Sequence, residues 1–160
     1  MILIAIDPGL VIGWAEFKCV APAEGAIYNA AHFIQSGQCG KLWEIPHIDL
    51  ISVFETIVVV YERYYVSKPA QGLEASEQIG VLHYLKGARS CCIDILVCQE
   101  PSILHFMDSK YNLQGIRGVP GIHAKSAFKH GLYYIAQNLK INVKELIEDA
   151  QNPRYRHANI

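Results

Sequence analysis

The feature that most constrains this chain is an apolar run that ends on an acid. Ile2-Leu3-Ile4-Ala5-Ile6 is short, continuous and rich in β-branched residues, so it reads as a strand buried on both faces. Asp7-Pro8-Gly9 closes it, and proline and glycine both interrupt regular structure. Gly13-Trp14-Ala15-Glu16-Phe17 resumes an extended pattern, which makes the unit a tight hairpin. A carboxylate at the end of a buried strand is rigidly held and still within reach of water. That suits metal binding, where a ligand must be placed to within about 0.5 Å. The same aspartate could instead only terminate the strand and bond the turn amides.

The remaining composition supports one domain. A chain of 160 residues, 51% hydrophobic and 18% charged, can bury a single core and is neither disordered nor fibrous. The domain is expected to span residues 1–160, with a loose tail after about residue 150. No apolar run approaches the ~18 residues that cross a bilayer, so no membrane partner is expected. No basic segment precedes the first apolar run, so no secretory leader is expected. Cys19, Cys39, Cys91, Cys92 and Cys98 fit neither a C-x-x-C pattern nor a zinc spacing. Reduced, mostly buried thiols in a cytoplasmic protein are the expectation. A net charge of −1 leaves nucleic-acid binding open, provided a basic face exists locally.

Taken in order, residues 19–29 read as a loop and Ala30 to Cys39 as a third strand. Pro46 is placed to open a helix running to about Phe54. Ile57-Val58-Val59-Val60-Tyr61 is the strongest strand in the chain, and it too ends on a carboxylate, Glu62. A polar and aromatic loop follows. Leu73 to Lys86 then reads as a helix, with Leu73, Ile79, Leu82 and Leu85 facing the core and Gly87 as its stop. Residues 93–98 form a fifth strand, closed by Gln99-Glu100-Pro101. From Ser102 to Ile122 the pattern is mixed, and crowded glycines suggest a mobile or ligand-shaped loop. His123 to Leu139 is the last long helix, with a short one over Val143 to Ala150. Three strands in an antiparallel meander, followed by strands joined through helices, give an α/β fold. Its sheet would be mixed and five-stranded, with helices on both faces. Right-handed crossovers place the fourth strand beside the first, which brings Asp7 and Glu62 to the same edge.

Two neighbouring carboxylates repel unless a cation neutralises them. Oxygen ligands without a cysteine or histidine cluster favour Mg²⁺ or Mn²⁺ over zinc. On the last helix, His123, Ser126, His130 and Tyr134 fall within about 80° of arc, at about 100° per residue. Ala124, Phe128, Gly131, Leu132 and Ile135 occupy its apolar side. The polar stripe could be merely solvated, but it starts directly after the glycine-rich segment and could face the carboxylate pair. Arg63, Lys68, Lys110, Arg117, Lys125 and Lys129 are the candidate phosphate contacts. Tyr64, Tyr65 and Phe106 are candidates for stacking.

Ile4-Ala5-Ile6-Asp7-Pro8-Gly9 with Gly13-Trp14-Ala15, then Val59-Val60-Tyr61-Glu62, then His123-Ala124-Lys125-Ser126-Ala127 resembles the RuvC-type Holliday junction resolvases, in particular their compact phage-like branch. The order of the three motifs carries the likeness. The resemblance implies an RNase H-like fold, a homodimer and metal-dependent cutting of four-way DNA, with Mg²⁺ or Mn²⁺, two ions per site. It implies the cytoplasm of a bacterial or phage-infected cell. By resemblance Asp7 is the first-strand metal ligand, Glu62 lies between the two ions, and His123 is the histidine of the family's His-x-x-Asp-Ala motif. The aspartate of that motif is Ser126 here, a neutral and weak ligand. His123 or His130 could compensate, and Glu100 is a reserve carboxylate. Two rival functions share these residues: a nuclease of the same fold acting on flaps, forks or RNA–DNA hybrids, and a junction-binding protein without catalysis. A sugar-kinase or actin-like phosphate domain also opens on an Asp-x-Gly turn, but it needs a second half for which 160 residues leave no room.

Overall fold

The computed structural model describes residues 1–22, 27–48, 56–64, 73–87 and 93–152. Within them β1 (Ile2–Asp7), β2 (Ile12–Val20), β3 (Ala30–Cys39), β4 (Ile57–Glu62) and β5 (Ile93–Gln99) form one sheet in the order β3-β2-β1-β4-β5. β1 pairs antiparallel with β2 and parallel with β4, β2 pairs antiparallel with β3, and β4 pairs parallel with β5. This is the mixed α/β sheet expected from the sequence.

Side chains alternate across β1 and β4 and are buried on both faces, as apolar runs without polar alternation require. On one face, Leu3, Ala5, Phe17, Val58 and Val60 pack against α3 (Ile122–Tyr134), α2 (Ser102–Tyr111) and α4 (Lys144–Gln151). Phe17, Phe33 and Phe128 form an aromatic triangle there, with centroids 4.9–5.6 Å apart. On the other face, Ile4, Ile6, Trp14, Val59 and Tyr61 pack against Leu82 of α1 (Leu73–Gly87) and against Leu42, Ile45 and Ile48. The last turn of α3 widens into a π-helical segment, Ile135–Leu139.

Three expectations need correction. The segment expected to be a loop from Ser102 begins with a regular helix, α2, which starts immediately after Pro101 and ends on Asn112 in the left-handed region at φ 53°. Only Met107 of α2 is fully buried, so its apolar stripe is too thin to stand out in the sequence. Leu73 faces solvent at 66% exposure, whereas Leu82 is fully buried and Ile79 and Leu85 are partly so. Pro46 lies in a turn that follows a single 3₁₀ turn at Leu42–Glu44; the rest of the helix expected to 54 lies outside the described residues. Lys68, Tyr65, Cys91, Cys92 and the tail after residue 152 also lie outside them.

Candidate active site

Strand register builds the site. Ile6 pairs with Tyr61, so Asp7 and Glu62 are the equivalent next residues at the C-terminal ends of adjacent parallel strands. Glu62 in turn pairs with Gln99 at the end of β5. Asp7, Glu62 and Gln99 therefore form a row across three strand ends, with strands about 4.8 Å apart. By alternation all three share the face of Ala5, Val60 and Val97, on which α3 packs.

α3 lies close to the sheet because two glycines let it. A Cβ on Gly13 would stand 2.0 Å from the His123 carbonyl carbon, and one on Gly131 would stand 2.2 Å from the Phe17 ring. The first turn of the helix is thereby pressed onto the start of β2, beside the Asp7 turn. The His123 N–H, an unpaired donor at the helix start, bonds Gln38 Oε1 at 3.3 Å.

The polar stripe of α3 then reads the row of strand ends one after another. His123 Nδ1 lies 3.0 Å from Asp7 Oδ2. The Ser126 hydroxyl donates to Glu62 Oε2 at 3.0 Å. His130 Nε2 lies 2.9 Å from the same Glu62 oxygen, and its Nδ1 lies 2.7 Å from Gln99 Oε1. Tyr134, the last residue of the stripe, is buried in the core cluster instead.

The two carboxylates differ electrostatically. Burial pushes Asp7 above its ordinary pKa; the hydrogen bond from His123 opposes this, and the charge of Glu62 adds to it. Burial would raise Glu62 as well, but the hydrogen bond and charge of His130, the Ser126 hydroxyl and the charge of His123 outweigh it and leave Glu62 below its ordinary value.

The donor set fits a hard divalent cation. The hydrogen bonds among the described residues engage Asp7 Oδ2 and Glu62 Oε2 and leave one oxygen of each carboxylate available. No group of three or more His, Cys, Asp or Glu among the described residues is arranged to hold an ion unaided. Mg²⁺ suits such a site, because it is commonly held by one or two carboxylates with water and substrate phosphate completing the shell.

The remaining candidates are dispersed. Glu100 pairs with Arg63 at 2.6 Å. Lys129 pairs with Asp108 at 2.7 Å on the flank of α3, and the Lys110 ammonium lies over the Phe106 and Tyr111 rings. Phe106 also packs edge-on against Tyr133, with centroids 5.9 Å apart. Arg117 is exposed in the segment before α3, and Lys125 is half-buried on the helix.

Gln99 is the site residue that sequence reasoning passed over in favour of Glu100. The signal was available: β1, β4 and β5 each end on a polar residue, and a shift of one position along a strand reverses its face. Placing the strand end at Gln99 puts its side chain toward α3.

No protein-family model and no curated protein sequence matches the chain. Solved structures do. The chain is similar to T. thermophilus RuvC in complex with Holliday junction substrate, at TM-score 0.56 and 14% identity over 86% of this chain and 96% of that one. A second Thermus thermophilus RuvC structure gives TM-score 0.56 and 11% identity over 87% and 98%. The fowlpox virus Holliday junction resolvase gives TM-score 0.53 and 15% identity over 84% and 98%. At such identities the likeness is one of fold. No described helix is long and apolar enough to cross a membrane.

Proposed function

We propose that this chain, whose fold is the RNase H-like fold of the RuvC-type resolvases, is a divalent-metal-dependent endonuclease that resolves four-way DNA by phosphodiester hydrolysis. The observation that carries the reading is the row of strand ends: Asp7 and Glu62 side by side on adjacent parallel strands, met by His123, Ser126 and His130 from α3.

Asp7 and Glu62 would hold the cation through the oxygens that their histidine and serine partners leave available. A bound Mg²⁺ or Mn²⁺ lowers the pKa of the attacking water and offsets charge on the leaving 3′ oxygen. His123 is 38% exposed and bonds Asp7 through Nδ1, which places its imidazole at the solvent edge of the site, where it can carry a proton. Ser126, whose hydroxyl donates a hydrogen bond to Glu62, is neutral and would be a weak ligand for a second ion. Arg63, Lys68, Lys110, Arg117 and Lys125 are the proposed phosphate contacts, with Lys129 held to Asp108 as a supporting charge. A homodimer on branched DNA completes the reading.

The test is cleavage of a synthetic four-way junction beside a fork, an RNA–DNA hybrid and a plain duplex, with Mg²⁺ or Mn²⁺. Paired incisions in the junction, lost in EDTA, are expected. Preferential cutting of the fork or hybrid would reassign the substrate, and tight junction binding with no cleavage would make the chain a binding protein.

A further inference from the structure

The third strand end in the row is neutral, and it is tied to the second through a buried ring. His130 is fully buried, and Gln99 is 6% exposed. We propose that Gln99 is a positioning residue: through His130 it fixes one oxygen of Glu62, so that the other stays presented to the cation. This rests on reading Asp7 and Glu62 as a cation site.

Gln99 and Glu62 meet the two nitrogens of one buried ring. A carboxamide has a donor end and an acceptor end of the same shape, and either can face an imidazole nitrogen. With the Gln99 oxygen 2.7 Å from Nδ1, the amide accepts from an Nδ1–H. With the amide turned over, its NH₂ donates to a bare Nδ1, and the ring's proton sits on Nε2. In either arrangement Gln99 satisfies Nδ1 and holds the ring so that Nε2 faces Glu62 Oε2, at 2.9 Å. Gln99 therefore holds the ring against Glu62 without touching the carboxylate.

Ser126 donates to the same oxygen at 3.0 Å. Two donors on Oε2, from residues four apart on one helix, fix the carboxylate's rotation about its own axis. Where the resolvase motif has an aspartate, this chain has a hydroxyl that holds Glu62 together with His130. An apolar residue at 130 would leave the buried Gln99 amide and one Glu62 oxygen each short of a partner. Partners of this kind around a metal ligand typically change metal affinity or activity by 10–100-fold on removal.

Long-range ¹H–¹⁵N spectra of the metal-free protein report the His130 ring directly. A proton on Nε2 is expected, and a bare Nε2 overturns the proposal. Gln99→Leu and Gln99→Glu are then titrated with Mn²⁺ alone by calorimetry, with Asp7→Asn as the reference for a lost cation site. Gln99→Leu should weaken Mn²⁺ by roughly 10-fold and lower kcat, leaving KM and junction affinity unchanged. Gln99→Glu keeps an acceptor for Nδ1 and should retain the wild-type affinity for Mn²⁺. Unchanged Mn²⁺ affinity in Gln99→Leu overturns the proposal. Should that variant not fold, loss of affinity in Gln99→Glu does the same. Wild-type protein that binds Mn²⁺ no better than Asp7→Asn overturns the cation site itself, a result separable from the ring spectra.

Discussion

Asp7 and Glu62 are carboxylates in the same row, yet their ionisation affects stability with opposite sign. Asp7 has its pKa raised above 3.8, so its ionisation disfavours the folded state. That penalty is absent below pH 3.8 and grows as pH rises through the folded value. Glu62 is held below 4.5, so it adds stability that is present above pH 4.5 and lost as pH falls through its folded value. Asp7→Asn should therefore abolish cleavage, leave junction binding largely intact and raise the metal-free melting temperature at pH 7. Glu62→Gln should also abolish cleavage but lower the melting temperature. Calorimetric melts of both variants at pH 7 and near pH 3 check the signs, and the Asp7→Asn gain should vanish at the lower pH. Ser126→Asp makes a third case. It replaces a donor to Glu62 with a second negative charge, so the metal-free protein should melt lower, while Mg²⁺ binds tighter through one more hard oxygen. An unchanged Mg²⁺ requirement for cleavage would remove position 126 from the cation site.

At the scale of elements, the site depends on how closely α3 approaches β2. Gly13→Ala would drive a methyl group into the His123 carbonyl carbon, 2.0 Å from the ideal Cβ position. The neighbour is backbone, so the helix itself must move. Overpacking of this kind costs about 1–3 kcal/mol, and a misplacement of ~1 Å can cost about 100-fold in rate. Melting and single-turnover cleavage of Gly13→Ala measure the two effects, and a wild-type cleavage rate would show that the first turn of α3 does not place His123. The same closeness shows what the sequence could disclose. The strands and α3 were legible because their apolar patterns are dense and bounded by glycine and proline. The stripe of His123, Ser126 and His130 was legible because helical periodicity alone places it on one side. α2 was not, since a half-exposed helix with one fully buried residue, Met107, leaves little periodic signal. The bonds from the stripe to Asp7, Glu62 and Gln99 required the parallel register, which pairs residues far apart in the chain and appears in no local pattern.

At the scale of the whole molecule, α1 carries an exposed apolar stripe among the described residues. Leu82 and Ala75 are buried there, whereas Leu73 is 66% exposed, Tyr84 73% and Val81 38%. Leu73, Gly80 and Tyr84 lie within about 40° of one another on a helix, opposite Leu82. Gly80 has nothing within 4 Å of its Cβ position, so a partner could approach the backbone closely. A four-way junction has approximate two-fold symmetry and needs two incisions, which a C2 pair of identical sites supplies. The chain should therefore be a homodimer in solution, with the outer stripe of α1 in the contact. Light scattering should give twice the monomer mass of 17.9 kDa. Tyr84→Glu, which places a charge on an exposed position, should dissociate the dimer with little effect on monomer stability. The proposed cation site at Asp7 and Glu62 lies on the opposite face of the sheet, so the monomeric variant should keep its Mn²⁺ affinity and still nick junctions. What it should lose is the coupling of two cuts, read as nicked junction accumulating in place of paired linear products. A wild-type chain that stays monomeric at micromolar concentration, free and on junction DNA, would exclude this assembly and shift the reading toward a nuclease that makes one incision per binding event.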